Sequence, residues 1–137
     1  MIYLFIISYH KQLAKNKRVQ DKLRDEVNKH CDSNGQINFE TLNEMSYLDQ
    51  VFHEALRLHP PATVLSKLCT ETADLEYDGK KVTVEKGISV YIPILQIHYD
   101  SEYFLEPTKF HPERFDDGAM KDYLDRCVFI PFGAGPR

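Results

Sequence analysis

Apolar residues recur at helical spacing in the first half of the chain and so predict its helices. A narrow apolar stripe between Gln12 and His30 favours one amphipathic helix over these residues. The members of the stripe lie four residues apart: Val19, Leu23 and Val27. The loop-forming residues 31–35 then end the helix.

Two further helices are predicted from capping residues and apolar spacing. Asn38 is a good N-cap for a short helix, and the helix dipole favours Glu40 in its first turn. Ser46, with Asp49 three residues later, fits a capping box at the start of the next helix. This helix should end before Pro60, because the residue before a proline avoids helical backbone. Its apolar face has helical spacing: Leu48, Val51, Phe52, Ala55 and Leu56.

In the middle of the chain, apolar and polar residues alternate as they do in β-strands. Leu75–Tyr77 and Lys81–Val84 flank an Asp78-Gly79 turn and predict a hairpin. Ile88–Ile92 predicts a third strand, and Ile94–His98 one helical turn. The sequence therefore predicts a small antiparallel sheet after the helices.

The last third of the chain shows little periodicity. Residues 100–125 are rich in proline, aromatic and charged residues, so we expect a packed meander with at most one helical turn near Ala119–Leu124. The apolar run Val128–Phe132 predicts a strand that ends in a glycine-containing loop. No repeat or linker divides the chain, so residues 1–137 are predicted to belong to one α+β domain, mainly helical with a small antiparallel β-sheet.

Charge and cysteine usage exclude several function classes. A net charge of −4 argues against nucleic-acid binding. Residues 10–30 nevertheless carry seven Lys/Arg against three Asp/Glu, which indicates either a solvated helix face or a docking surface for an acidic partner. The cysteines suggest neither a zinc site nor a disulfide framework and favour a reducing compartment, because they are odd in number and far apart: Cys31, Cys69 and Cys127.

The apolar start, Met1–Tyr9, is too short to span a bilayer as a helix. It also lacks the basic leading region and small-residue cleavage site of a signal peptide. We therefore predict a buried helix or strand there.

Three motifs occur in a fixed order along the chain. Glu54-Ala55-Leu56-Arg57 lies on a predicted helix, Pro112-Glu113-Arg114-Phe115 lies in the meander, and Phe132-Gly133-Ala134-Gly135-Pro136-Arg137 closes the sequence. Helical geometry alone favours a surface ion pair between Glu54 and Arg57, pointing away from the apolar face. The three motifs together, however, resemble the cytochrome P450 family of haem-thiolate monooxygenases. Two other stretches, Leu58-His59-Pro60-Pro61 and Ile97-His98-Tyr99-Asp100, look most like the family's microsomal, xenobiotic-metabolising insect members. The resemblance implies the C-terminal half of that fold.

The resemblance implies roles for particular residues. Glu54, Arg57 and Arg114, here called the structural triad, would form a buried charge network. Lys67 would face a haem propionate in place of the more usual arginine, and His98 would lie near the haem edge unless it is an ordinary core histidine. The final loop would lie against the haem through Phe132, Gly133, Gly135 and Arg137. One wall of a lipophilic substrate pocket would consist of Ala62, Thr63, Val64 and Leu65.

The resemblance also implies a cofactor, partners and a location. It implies haem, oxygen insertion into a small lipophilic substrate, an NADPH-dependent reductase as electron donor, and the cytosolic face of the endoplasmic reticulum membrane, through an anchor that these residues do not include. In the family the iron-ligating Cys lies two residues beyond the arginine that matches Arg137, so we expect a partial domain, inactive on its own. The alternative is a truncated, non-catalytic remnant with at most a binding role. Met1–Gln12 matches the family only loosely.

Overall fold

A computed structural model describes residues 2–116 and 118–134 of the chain. The helices are α1 (Ile2–Lys15), α2 (Lys17–His30), α3 (Phe39–Asn43), α4 (Ser46–Leu58), α5 (Ile94–His98) and α6 (Ala119–Asp125), with a 3₁₀ turn at Pro112–Phe115. The strands are β1 (Leu65–Leu68), β2 (Ala73–Tyr77), β3 (Lys80–Val84) and β4 (Ser89–Ile92). The α+β class, mainly helical with antiparallel β-structure, is confirmed.

The single helix predicted over residues 12–30 is wrong, because the chain forms two helices that meet at Asn16. Asn16 leaves helical geometry with φ −118° and ψ 75°, and its side-chain amide donates to the Gln12 carbonyl oxygen at 2.8 Å. Asparagine competes with the backbone for such bonds, which explains the break. The buried segment predicted for residues 1–9 is helical, but Tyr3 is 81% exposed and Ile7 is 63% exposed.

The start of α4 is capped from another helix. The predicted capping box is wrong: Met45 is the N-cap residue and makes no side-chain cap bond, while Ser46 lies inside the helix. The Glu26 carboxylate, on α2, accepts the Tyr47 amide proton at 2.9 Å and the Leu48 amide proton at 2.7 Å. A carboxylate at a helix N-terminus satisfies free amides and complements the dipole. Glu26 therefore couples the position of α2 to that of α4.

Replacing Glu26 with alanine should lower the free energy of unfolding by about 1–2 kcal/mol, because two amides of α4 lose their acceptor. Chemical unfolding of the full chain would measure this. Glu85→Ala removes an exposed carboxylate outside any helix and serves as the control. Equal losses in the two variants would contradict the capping role.

The β-structure consists of two separate two-stranded antiparallel sheets. The predicted hairpin is confirmed: β2 pairs with β3, and both turn residues have positive φ, 50° at Asp78 and 70° at Gly79, as a type I′ turn requires. The predicted third strand, β4, pairs with β1, which the sequence analysis missed because its apolar residues do not alternate.

The strand predicted at Val128–Phe132 is wrong for the described residues, which form a buried irregular segment and a turn. The Val128 and Phe129 amides both donate to the Tyr123 carbonyl oxygen, at 3.0 and 3.3 Å. These two amides bond to the end of α6 and are therefore not available for pairing with a strand. The helical turn predicted at residues 94–98 is confirmed as α5. Residues 100–125 contain more helix than the single turn predicted, because α6 is seven residues long and the 3₁₀ turn at Pro112–Phe115 precedes it.

Helix α4 lies between two apolar clusters, and this position explains why so much of it is buried. One cluster joins it to α1 and α2: Val19, Leu23, Tyr47, Val51, Ala55, Leu58 and Phe110. The other joins it to the meander: Leu56, Phe104, Phe115, Val128 and Phe129. On the side of α4 opposite the predicted apolar face, Arg57 is fully buried, and its guanidinium carbon lies 5.1 Å from the centre of the Phe104 ring. Within the described residues, no helix is long and apolar enough to cross a membrane.

Candidate functional site

The structural triad is assembled by α4 and the 3₁₀ turn. The Arg57 guanidinium grips the Glu54 carboxylate with two bonds, Nε to Oε2 at 2.8 Å and Nη2 to Oε1 at 2.9 Å. Arg114 Nε donates to Glu54 Oε1 at 3.2 Å. Glu54 and Arg57 are fully buried and Arg114 is 9% exposed. The surface-pair alternative therefore does not describe this structure: the charges lie in the interior, where a planar guanidinium can match a carboxylate.

The remaining guanidinium protons of the triad bind main-chain oxygens. Two arginines face one carboxylate, so most of these protons need other acceptors. The described acceptors are carbonyl oxygens of α5 and the meander: His98, Leu105, Glu106 and Lys109. Glu54 Oε1 also accepts the His111 amide proton at 2.9 Å. The triad thereby fixes the path of an irregular segment, which has no regular helical or strand hydrogen bonds to hold it.

His98 is a buried histidine with both ring nitrogens bonded to protein. Its Nδ1 lies 3.1 Å from the Arg57 carbonyl oxygen, and its Nε2 lies 3.1 Å from the Ile130 amide nitrogen. Its ring stacks on Phe129 with centroids 5.5 Å apart. Burial lowers the pKa of His98 to about 4, and the nearby Arg57 charge acts in the same direction. The arrangement is that of a satisfied core histidine, one of the two alternatives left open by the sequence.

The last described residues, 130–134, are called here the glycine loop. The Gly133 amide donates to the Ile130 carbonyl oxygen at 3.0 Å, and Gly133 has φ 81°, a left-handed conformation that favours glycine. A Cβ at Gly133 would lie 3.4 Å from Leu65 Cδ2, at van der Waals distance, so the loop passes close to β1. Phe132 is 62% exposed. Two predicted haem contacts, Gly135 and Arg137, lie outside the described residues.

The predicted pocket wall runs beside this loop. The Thr63 carbonyl oxygen accepts the Leu95 amide proton at 3.1 Å, which anchors the segment to α5. Ala62 and Leu65 are half-buried, and Val64 is 45% exposed. Lys67 is exposed and, by strand alternation, shares a face with Leu65, the residue that a Cβ at Gly133 would touch.

The residues beside the glycine loop fit a haem. A haem is a flat apolar ring that carries two carboxylates at one edge. The exposed Phe132 ring offers apolar contact to such a ring. Lys67 supplies a cation on the adjoining strand face, as a point charge without the fork of arginine.

Gly133→Ala should lower the free energy of unfolding by about 1–2 kcal/mol, because an L-residue is strained at this φ and meets Leu65. Gly79→Ala is the matched control, since it has a similar φ of 70° but open space around its Cβ. Amide exchange at residues 130–134, measured alongside chemical unfolding, should rise only in the Gly133 variant. Faster exchange of the loop in both variants would contradict the contact with β1.

Glu113, of the Pro-Glu-Arg-Phe motif, is a site residue that the sequence analysis missed. It accepts two bonds from Arg18, at 2.8 and 3.2 Å, and one from Lys22 at 3.2 Å. The Tyr47 hydroxyl also donates to it, at 3.3 Å. The Arg18 bonds, above all, lower the pKa of Glu113 to about 2, whereas burial and then the Glu113 charge raise the pKa of Tyr47 to about 12. The spacing of Arg18 and Lys22 predicts two cations on one helix face. It does not identify their partner, because Glu113 lies in a distant part of the chain.

The chain is similar to known proteins over nearly its whole length. A sequence model of the family described as Cytochrome P450 matches residues 9–137. Probable cytochrome P450 309a1 of Drosophila melanogaster is 37% identical over 96% of this chain and 26% of its own length. Cytochrome P450 9e2 of Blattella germanica is 41% identical over 91% of this chain and 23% of its own length. Cytochrome P450 3A31 of Mesocricetus auratus is 41% identical, again over 91% of this chain and 24% of its own length.

The chain spans about a quarter of the length of these relatives. Among the residues that the structure describes, no group of three or more His, Cys, Asp or Glu side chains could hold a metal ion. The matched region includes all three sequence motifs and the structural triad. With the family model covering nearly the whole chain, the protein belongs to the cytochrome P450 family.

Proposed function

We propose that this chain forms the triad-containing part and one haem-facing wall of a haem-thiolate monooxygenase that inserts one oxygen atom from O2 into a small lipophilic substrate. The observation that carries the proposal is the buried triad, which His98 connects to a glycine loop that passes close to β1. Membership of the cytochrome P450 family supports the haem and the class of reaction.

Particular residues of this chain would hold the cofactor. Lys67 would bind a propionate, while Phe132 and the bare backbone of Gly133 would lie against the macrocycle; Gly135 and Arg137 continue the same motif. When bound through a thiolate, haem supplies the activation of O2, since the thiolate pushes electron density towards iron and favours O–O cleavage. The protein's share is to bind, orient and keep water away.

The substrate would lie against Ala62, Thr63, Val64 and Leu65. These side chains are small and mostly apolar, as the wall of a pocket for a lipophilic compound should be. The bond from the Leu95 amide to the Thr63 carbonyl oxygen would hold this wall at a fixed distance from α5. The segment thus orients the substrate without contributing a reactive group.

Labelled oxygen tests the proposed reaction. Protein translated from the complete transcript, loaded with haem and supplied with NADPH and a reductase, should convert a lipophilic substrate into a product with one atom from ¹⁸O2. Omitting the reductase provides the control. Label entering from water instead, or no conversion across a broad lipophilic panel, would contradict the proposal and favour a non-catalytic binding role.

The basic helix α2 is the proposed contact for the electron donor, which we place with the protein on the cytosolic face of the endoplasmic reticulum membrane. Part of its charge is used internally: Arg18 and Lys22 bind Glu113, and Arg24 binds Asp21 at 2.6 Å. These cations are all about half exposed or more and could still contact acidic groups of a reductase.

Charge reversal at Lys22 and Arg24 should raise the reductase concentration needed for half-maximal turnover severalfold, because an attractive surface becomes repulsive. Lys86→Glu, an equal charge change at an exposed position outside α2, is the control. Titrating reductase at low and high salt would measure the effect, which salt should shrink. Unchanged titration curves would contradict the docking role.

A further inference from the structure

His98 connects the structural triad to the glycine loop through bonds on both sides of its ring. Arg57 and His98 bind each other twice: Arg57 Nη1 donates to the His98 carbonyl oxygen at 2.6 Å, and the Arg57 carbonyl oxygen lies 3.1 Å from His98 Nδ1. On the other side, Ile130 N approaches His98 Nε2 at 3.1 Å. The His98 side chain therefore bridges α4 and the segment at Ile130, which lies more than thirty residues after His98 in the sequence.

The partners of the ring dictate its tautomer. A carbonyl oxygen can only accept, so Nδ1 must carry the proton that goes to the Arg57 oxygen. An amide N–H can only donate, so Nε2 must offer its lone pair to Ile130. A doubly protonated ring would face the Ile130 amide with a second donor. Neutral His98, protonated at Nδ1, is thus the form that satisfies both bonds.

The surroundings of the ring favour this neutral form. From α4, the charged group that faces His98 is Arg57, itself paired with Glu54. From the meander and the segment after α6, aromatic rings cover it: Phe104 at 6.3 Å and Phe129 at 5.5 Å between centroids. A cation beside it and apolar rings around it both oppose a further positive charge.

The bond to Ile130 passes directly into the glycine loop. The amide of Ile130 is held by His98, and its carbonyl oxygen accepts the Gly133 amide proton at 3.0 Å. A continuous path of hydrogen bonds thus runs from the triad to Gly133, in the middle of the loop.

We propose that His98 is a positioning residue, whose Nδ1-protonated ring transmits the fixed position of Arg57 to Ile130 and thereby sets the glycine loop. That this loop faces haem rests on the proposed function. The hydrogen-bonded path itself does not, since it involves this chain's own residues alone.

The first test uses the unmodified full chain, labelled with ¹⁵N for NMR. The ring nitrogen shifts of His98 should report the Nδ1-protonated tautomer, and the Ile130 amide should exchange slowly with solvent. An Nε2-protonated ring, or an Ile130 amide that exchanges like an unprotected one, would overturn the proposal. No haem is involved, so this failure would be distinct from a failure of the proposed function.

Two amide variants separate the two bonds of the ring. The amide group of glutamine reaches the place of Nε2, whereas that of asparagine reaches only the place of Nδ1. His98→Asn should therefore speed exchange at Ile130 and Gly133 by about tenfold, the loss of one hydrogen bond, while His98→Gln, which keeps the bond to Ile130 but not the one to Arg57, should speed it less. Similar exchange in the two variants would overturn the proposal, and the unmodified chain decides it if His98→Asn fails to fold.

The rate of haem release then tests whether the hydrogen-bonded path affects haem binding. In haem-loaded protein from the complete transcript, His98→Asn should release haem faster than His98→Gln. If loop exchange differs as expected but haem release does not, the path stands and the placement of the loop against haem is wrong.

Discussion

Replacing Glu54 with glutamine is expected to lower the free energy of unfolding by about 3–5 kcal/mol, because two enclosed guanidinium groups would lose their carboxylate. The amide oxygen of glutamine can accept a bond but carries no compensating charge. A typical domain is stable by only about 5–15 kcal/mol, so the variant would be largely unfolded under mild denaturant. Urea unfolding of the full chain, followed by circular dichroism, measures the loss.

The same chemical change at the surface supplies the control for this prediction. Glu76 pairs with Lys81 at 3.7 Å while remaining 61% exposed, so Glu76→Gln should cost less than about 1 kcal/mol. A loss at Glu54 no larger than that at Glu76 would show that the triad contributes nothing particular to stability. It would also contradict the enclosed geometry of the charges.

The second large effect is a loss of stability as the pH falls from 6.5 to 4. His98 has an unfolded pKa of 6.5 and a folded pKa of about 4. Between these two pKa values the unfolded chain binds a proton at His98 and the folded chain does not, so acid favours unfolding. The contribution of His98 is present above pH 6.5 and falls by about 3 kcal/mol by pH 4.

Comparing the unmodified chain with His98→Gln isolates this contribution. The unfolding free energy of the unmodified chain, relative to that of His98→Gln, should fall by about 3 kcal/mol from pH 7 to pH 4 and then level off. Glu113 acts in a lower window: its pKa is about 2 when folded and 4.5 otherwise, so the stability that it contributes is lost below pH 4.5. A difference that stays constant between pH 7 and pH 4 would refute the buried, neutral histidine.

Local patterns predicted most of the regular structure of the chain. Local backbone preferences, which need no tertiary context, correctly located two boundaries: the turn of the hairpin at Asp78-Gly79 and the end of α4 before His59-Pro60. The break at Asn16 was missed because the apolar stripe, which begins at Val19, carries no signal at Asn16, where a side-chain bond to Gln12 interrupts the helix. The cap from Glu26 was missed because its partners lie more than twenty residues away on another helix.

The candidate site could be predicted from motif order but not from helical geometry. Taken alone, α4 places Arg57 opposite its apolar face, which favoured a surface pair; the enclosing second cluster is a property of the whole fold. Glu113 and the double role of His98 depend on contacts between segments far apart in the chain. No local pattern contains such contacts.

The carbon monoxide difference spectrum of the reduced protein, translated from its complete transcript and supplied with haem, tests the central claim most directly. We predict the absorbance band characteristic of thiolate-ligated haem, and we expect Glu54→Gln to abolish it while Glu76→Gln keeps it. Haem that binds without the thiolate signature, or no haem binding by well-folded protein, would contradict the assignment of this chain to the haem-facing part of a monooxygenase.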